Sequence, residues 1–235
     1  MHKNQTNKVF LEFLTNSGVN YFTQNQPNNF YTIKKNNKSN DLNDIKSIED
    51  LKKYINKSNI CQLSKTAKNT VFSDGNKYSK LMIVGEAPGK EEDIQGIPFV
   101  GKAGILLNKM LLAINLKRED VYITNVIPWR PPNNRTPNND EIMECLPILQ
   151  KHIEIIKPSY LFLLGGTAAK AILASPLSVS KLRNIWHTYN SIYLKKNIKT
   201  LVSYHPAFLL RSPQFKKEAW NDLKILQKEI NSNAN

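Results

Sequence analysis

Four short apolar runs, rich in β-branched and aromatic residues, place the strongest constraint on the fold. Each run is continuously apolar rather than alternating, which is typical of strands buried on both faces of a sheet. The runs cover residues 81–84, 121–124, 160–164 and 200–204, and helical patterns between them cover 103–114, 139–156 and 167–173. Because strands that alternate with helices form parallel sheets covered on both sides, the sequence predicts an α/β fold. We expect three layers, α/β/α, around a central four-stranded parallel sheet.

The segment before the first run differs in composition. Residues 9–14 favour a short amphipathic helix, whereas residues 24–43 are rich in Asn and Lys, which is typical of a loop or disordered linker. Another short helix is predicted at residues 51–55. We therefore expect an N-terminal extension over residues 1–50, partly helical and partly disordered, followed by one main domain over residues 51–235.

Polar or glycine residues directly follow each of the four predicted strands. In parallel sheets, ligands bind beyond the carboxyl ends of the strands, so these residues are predicted to meet at one edge. They are Glu86 within the turn Gly85-Glu86-Ala87-Pro88-Gly89, Asn125, the triplet Gly165-Gly166-Thr167, and His205.

The turn around Glu86 excludes the commonest phosphate-binding loops. Neither GxGxxG nor GxxxxGK[ST] is present, and four carboxylates within residues 86–93 would repel a phosphate. A carboxylate held at the end of a strand can orient or deprotonate a water molecule. The alternative is an ordinary turn with a solvated Glu86.

Two further residues are suited to binding a flat polar ring. Phe99 lies between Pro98 and Gly101 in a loop and is a candidate stacking platform, although a core phenylalanine is the alternative. The Asn125 amide both donates and accepts, which suits the edge of a nucleobase, although an asparagine there also caps turns.

The basic residues favour a polyanionic partner. Lys and Arg number 33 against 19 acidic residues, a net charge of +14, although biased codon usage would also enrich Lys. Arg130 and Arg135 lie in a proline-rich loop and are candidates to line a phosphate path, although a solvated basic loop is the alternative. The loop expected after His205 combines apolar residues predicted to be exposed with cations, and apolar wedges flanked by cations are how proteins unstack duplex steps. The residues concerned are Leu209, Leu210, Arg211 and Lys216.

Together these segments resemble the family 4 uracil-DNA glycosylases. The matching motifs are, in order, GEAPG at 85–89, PFVG at 98–101, TNV at 124–126, RPPNNR at 130–135 and HPAFLLR at 205–211. The resemblance implies an enzyme of base excision repair. Such an enzyme hydrolyses the N-glycosidic bond of a flipped-out deoxyuridine in DNA, which releases uracil and leaves an abasic site.

The resemblance also implies roles for individual residues. Glu86 and His205 become the catalytic pair, with Glu86 activating the attacking water and His205 supporting the charge that develops on the base. Phe99 stacks on the uracil, and Asn125 binds its edge. The remaining implied substrate contacts are Gly85, Ala87 and Glu92, with Glu92 near C5, where thymine carries its methyl group.

One departure from the family concerns its [4Fe–4S] cluster, which four cysteines hold. Cys61 and Cys145 match two of the four positions, while Ser58 and Trp129 occupy the others. Two thiolates cannot hold such a cluster in the usual way, so we expect no metal and no cofactor. A cluster with unusual ligands is the alternative.

Two other classes of protein stay open at this point. A non-catalytic module that binds uracil or single-stranded DNA would use the same pocket, although Glu86 and His205 favour an enzyme. A Rossmann-like nucleotide-binding enzyme would need the phosphate loop that the sequence lacks. With no long apolar run and no secretory signal, we expect a cytoplasmic monomer that acts on uracil-containing DNA and not at a membrane.

Overall fold

The four apolar runs form the centre of the sheet in the computed structural model, which describes residues 42–191, 194 and 196–232. In these residues the strands are β1 (Asp74–Gly75), β2 (Leu81–Gly85), β3 (Tyr122–Asn125), β4 (Tyr160–Leu164), β5 (Trp186–Asn190) and β6 (Asn197–Ser203). They form one six-stranded sheet in the order β1-β3-β2-β4-β6-β5.

The central pairs β3-β2, β2-β4 and β4-β6 are parallel, as the sequence predicts. The outer strands β1 and β5 pair antiparallel with β3 and β6, and the prediction missed both. Strand β1 has only two residues, and β5 is partly exposed with a polar composition, so neither carries the continuous apolar pattern of a buried strand.

Helices cover both faces of the sheet and confirm the three-layer α/β/α prediction. They are α1 (Ile48–Lys57), α2 (Leu63–Thr66), α3 (Lys90–Gln95), α4 (Lys102–Leu112), α5 (Asn139–Ile156), α6 (Gly166–Leu173), α7 (Val179–Leu182), α8 (Pro206–Arg211) and α9 (Lys216–Ser232). Short 3-10 helices lie at Leu42–Asp44, Arg118–Asp120, Pro132–Asn134 and Pro213–Phe215. Within the described part of the chain, none of the helices is both long and apolar enough to span a bilayer.

The pleat of the strands divides the core into two layers. Met82 and Val84 of β2 pack with α1, α5 and α6 on one face, whereas Leu81 and Ile83 pack with α4 and α9 on the other. Because successive side chains in a strand point to opposite faces, a run buried on both sides must be apolar throughout. This explains why the central strands show no polar alternation.

Helix α1 begins inside the segment that the sequence assigns to an extension. The Ser47 side chain caps its amino end by accepting from the Asp50 N–H at 3.1 Å, and Leu51 and Ile55 are fully buried in the core. The boundary at residue 51 stays a prediction, because α1 extends to both sides of it. The helix and linker predicted at residues 9–14 and 24–43 lie, except for 42–43, outside the described residues.

Beneath β3, a buried histidine is paired with a buried tyrosine. The Tyr122 hydroxyl lies 2.8 Å from Nδ1 of His152, and Phe72 packs on the imidazole with ring centroids 4.5 Å apart. Burial lowers the pKa of His152 to about 3 and raises that of Tyr122. At neutral pH the ring is therefore uncharged, and the hydrogen bond joins it to the tyrosine hydroxyl.

This pair makes the stability of the fold depend on pH. Below about pH 6.5 the unfolded chain binds a proton at His152 that the folded protein excludes until near pH 3. The stability that the folded protein gains from keeping His152 neutral is therefore complete above pH 6.5 and decreases as the pH is lowered. Between pH 6 and 5, the free energy of unfolding of the wild type falls as the pH is lowered. The His152→Gln variant should show a slope that is smaller by about 1.4 kcal/mol per pH unit. Urea unfolding at several pH values measures this, and equal slopes in the two proteins would contradict it.

Candidate active site

A cavity of about 420 Å³ opens at the carboxyl edge of the parallel strands. Three of its lining residues come from strand ends. Glu86 follows β2, Asn125 is the last residue of β3, and His205 lies just after β6. Its other lining residues include Ala87, Glu92, Phe99, Arg135, Phe208 and Arg211. The location agrees with the rule that parallel sheets bind ligands beyond the strand ends.

Gly85 makes the floor of the cavity possible. It is paired in register with Asn125 across β2 and β3. A Cβ atom at residue 85 would lie 2.3 Å from Asn125 Oδ1 and 2.5 Å from Cζ of Phe99, much closer than van der Waals contact. Gly85 therefore makes no side-chain contact, and its role is to leave room for the Asn125 amide and the Phe99 ring.

Asn125 presents a buried acceptor in this floor. Only 6% of the residue is exposed, and its Oδ1 has no hydrogen-bond partner among the described residues. A buried polar atom left unpaired is costly, about 1–3 kcal/mol, unless a ligand satisfies it. The amide is thus poised to accept a hydrogen bond from a bound molecule.

Phe99 faces the same space in a strained backbone conformation. Its φ is 54°, which a non-glycine residue adopts at a cost of about 1–3 kcal/mol. The ring lies beside His205, with centroids 5.5 Å apart. Gly104 allows this turn, because a Cβ there would lie 1.8 Å from the Phe99 carbonyl oxygen.

A threonine from the amino end of α6 binds the Glu86 carboxylate. The Thr167 hydroxyl donates to Glu86 Oε2 at 2.5 Å, and Glu86 is half-buried at the cavity wall. A hydroxyl bond to one carboxylate oxygen fixes the orientation of the group. The sequence places Thr167 just after a predicted strand but indicates no role for it, because the contact joins residues 81 positions apart.

His205 is held as a neutral ring with a defined tautomer. The Ala207 N–H donates to its Nδ1 at 3.1 Å at the start of α8, so the ring proton belongs on Nε2. Burial, reinforced by the positive charge of Arg211, lowers the pKa of His205 to about 4. Gly165, with a φ of 93°, leaves space for it, since a Cβ there would lie 3.0 Å from the His205 Cβ.

The Glu92 carboxylate spans two loops of the cavity wall. Oε2 accepts from the Gly89 N–H at 3.1 Å, and Oε1 accepts from Val100 and Gly101 at 3.0 and 2.8 Å. Glu92 therefore connects the turn after β2 to the loop that carries Phe99. Its predicted position near C5 of a bound base stays a prediction.

The predicted DNA-binding residues occupy different environments. Arg211 and Arg135 line the cavity, Arg135 also binding both carboxylate oxygens of Glu141, at 2.8 and 2.5 Å. Arg130 donates to Asn134 Oδ1 at 2.7 Å and lies 4.0 Å from Asp93, outside the cavity lining. Lys216, at the start of α9, is exposed.

The expectation that Leu209 lies on an exposed surface is wrong. Only 1% of Leu209 is exposed, and it packs in the core, whereas its neighbour Leu210 is 43% exposed. Both belong to α8, and adjacent residues of a helix point in directions about 100° apart. Leu210 alone of this pair can contact a partner.

The four residues that the resemblance matches to cluster ligands do not, as a set, fit an iron–sulfur cluster, because only Cys61 and Cys145 are thiols. Cys61 and Cys145 are buried and hydrogen-bonded to each other, which lowers the pKa of Cys61, while this bond and burial raise that of Cys145. The Ser58 hydroxyl donates to the Ile55 carbonyl, and Trp129 is 98% buried with its indole N–H bound to Thr70. In the described part of the chain, no group of three or more potential metal ligands assembles.

Taken together, the cavity can bind a flat polar ring and act on a bond beside it. It offers an aromatic face from Phe99, an unpaired amide oxygen from Asn125 and an N–H donor from His205. The Glu86 carboxylate stands ready to orient water. Sequence reasoning also missed Arg118, which binds the loop of Phe99 from a distant 3-10 helix.

Comparisons with known proteins agree with this geometry. The family model of the uracil DNA glycosylase superfamily matches residues 72–224. The type-4 uracil-DNA glycosylase of Archaeoglobus fulgidus is 40% identical over 184 residues, 77% of this chain and 92% of that protein. Those of Pyrobaculum aerophilum and Thermotoga maritima are 41% and 39% identical over 77% and 70% of this chain, and over 92% and 84% of their own lengths.

The space around Gly85 gives a direct test of this geometry. Replacing Gly85 with Ala should lower the free energy of unfolding by about 1–3 kcal/mol, because Asn125 and Phe99 must move away from the added methyl group. Gly166→Ala is the matched control, since the nearest atom to its Cβ lies 3.8 Å away. Urea unfolding of both variants measures the difference, and equal stabilities would contradict the packing described.

Proposed function

The chain belongs to the uracil-DNA glycosylase superfamily, and we propose that it hydrolyses the N-glycosidic bond of flipped-out deoxyuridine in DNA. The products are free uracil and an abasic site, the first intermediate of base excision repair. The observation that carries the proposal is the convergence of Glu86, Phe99, Asn125 and His205 on one cavity at the sheet edge. The similarity to type-4 enzymes supports the choice of uracil as the base.

Binding of the base rests on Phe99 and Asn125. A base that leaves the stack exposes both a flat face and its polar edge. Phe99 covers the face, and stacking of this kind contributes about 1–3 kcal/mol. The unpaired Oδ1 of Asn125 accepts from the N3–H of uracil. Cytosine has no N3–H, so it would leave that buried oxygen unpaired and bind much more weakly.

Cleavage rests on Glu86 and His205. As the C1′–N1 bond breaks, its electron pair moves onto uracil and the sugar becomes cation-like. The Nε2–H of neutral His205 donates to uracil O2 and stabilises this negative charge. Glu86, oriented by Thr167, accepts a proton from the water that attacks C1′.

Glu92 and its neighbours are assigned a role in substrate selection. We propose that Glu92 limits the space near C5, where thymine carries its methyl group, and that Gly85 and Ala87 complete the wall. Support for Glu92 comes from its fixed geometry, because three backbone N–H groups hold its carboxylate in place. A rigid wall excludes a methyl group better than a flexible one.

Contacts with the DNA backbone are assigned to Arg130, Arg135, Arg211 and Lys216, and Leu210 is the candidate for an apolar wedge. Their support is proximity to the cavity for Arg135 and Arg211, exposure for Lys216 and Leu210, and net charge overall. Phosphate contacts of this kind weaken as salt rises. We expect action in the cytoplasm as a monomer, and both stay predictions.

We propose that the enzyme works without an iron–sulfur cluster. The support is chemical: two of the four family positions are a tryptophan and a serine whose polar groups are already bonded within the protein. Trp129, Cys61 and Cys145 belong to one group of apolar side chains in the core. Their packing supports the proposal that side chains replace the structural contribution of an iron–sulfur cluster.

Uracil release tests the enzymatic proposal. An oligonucleotide with a single uracil should be cut by alkali after incubation with the protein. Glu86→Gln and His205→Ala should slow single-turnover release by about 10²–10⁴-fold, because each removes a group that acts on the transition state. Glu91→Gln, an exposed neighbouring carboxylate, is the matched control and should leave the rate unchanged. Binding without release by the wild type would indicate a non-catalytic module instead.

Iron and sulfide analysis tests the cofactor proposal. Protein purified without oxygen should contain no stoichiometric iron, and Cys61→Ala should keep uracil release within about twofold of the wild type, since a packed thiol supplies no chemistry. About four irons per chain, the content of a [4Fe–4S] cluster, would overturn the proposal.

A further inference from the structure

The loop that carries Phe99 is bound on both sides by groups of opposite charge. On one side, the Arg118 guanidinium donates to the Phe99 carbonyl at 3.1 Å and to the Pro98 carbonyl. On the other, the Glu92 carboxylate accepts from the N–H groups of Val100 and Gly101. A cation thus binds two consecutive carbonyls, and an anion binds the next two amides.

Arg118 is itself held in place by residues outside this loop. Its Nε donates to the Asp74 carboxylate, and Nη1 also donates to Asn108 Oδ1 at 3.2 Å. The Arg118 side chain is 23% exposed, so its ion pair with Asp74 is partly shielded from water. Hydrogen bonds of a charged group are roughly twice as strong as neutral ones, and the planar fork of arginine fixes their direction.

The strain at Phe99 explains why the loop needs these bonds. A non-glycine residue with a φ of 54° relaxes to a negative φ unless its surroundings prevent it. Such a relaxation would rotate the peptide groups on both sides and turn the ring away from the cavity. The Arg118 bonds to the carbonyls of residues 98 and 99 oppose this rotation directly.

We propose that Arg118 is a positioning residue for the base: it holds the strained Phe99 platform in the orientation that stacks on uracil. This inference rests on the proposed function. Arg118 does not line the cavity, so its effect on the base passes through the loop of Phe99. Losing it should therefore weaken the binding of the base and leave the groups that act on the bond in place.

The size of the expected effect follows from the stack that is lost. Arg118→Gln should reduce kcat/KM for a uracil-containing oligonucleotide by about 10-fold, inside the roughly 5- to 150-fold range of one base–aromatic stack. The inhibition constant of free uracil should rise by a similar factor. The neighbouring exposed Lys117→Gln removes the same charge without touching the loop and should leave both values unchanged.

A double-mutant cycle separates positioning from general stability. In a Phe99→Ala background, Arg118→Gln should change kcat/KM by less than about twofold, because the platform is already absent. An undiminished loss in that background, or no loss in the wild-type background, would overturn the proposal. If Arg118→Gln fails to fold, Arg118→Lys serves in the same cycle, since a single ammonium cannot reproduce the fork. A wild type that releases no uracil would instead contradict the proposed function.

Discussion

The parallel pairing of β2 with β3 is the constraint on which the site depends. It places Gly85 opposite Asn125, and the missing side chain at residue 85 leaves room for both the Asn125 amide and the Phe99 ring. Parallel strands end at the same edge, so the residues after β2 and β6 reach the same cavity. The arrangement of the site is thus a consequence of register, because shifting one strand by a residue would turn the side chains of that strand to the other face.

The central sheet and the residues at its edge could be predicted from sequence, because both leave local signals. Continuous apolar runs identify buried strands, and Glu86, Asn125 and His205 follow them directly. The bonds that orient these residues left no such signal. Thr167 and Arg118 meet Glu86 and Phe99 across long sequence separations, and only tertiary packing brings them together. The burial of Leu209 likewise leaves no local signal, because its sequence neighbours do not reveal which face of α8 turns inward.

Hydrogen bonds hold in place the groups around the cavity to which the proposed chemistry assigns a role. Glu92 and Arg118 fix the backbone that carries the stacking ring, while the amino end of α8 fixes the tautomer of His205. Each of these hydrogen bonds orients a group before the substrate binds. Preorganised groups stabilise developing charge without having to reorient during the reaction. The core around Trp129 is ordered by packing instead, since it is filled by apolar side chains that include Cys61 and Cys145.

We propose above all that a neutral His205 donates its Nε2–H to a uracil bound in this cavity. Nitrogen-15 NMR of the imidazole, assigned with a His205→Gln variant, measures its protonation state and tautomer. We expect a ring protonated only at Nε2 between pH 8 and about 5, since the pKa of His205 is lowered to about 4. The Nε2–H proton should also move downfield when free uracil is added. An imidazolium at pH 7, an Nδ1–H tautomer, or no response to uracil would rule out this role of His205.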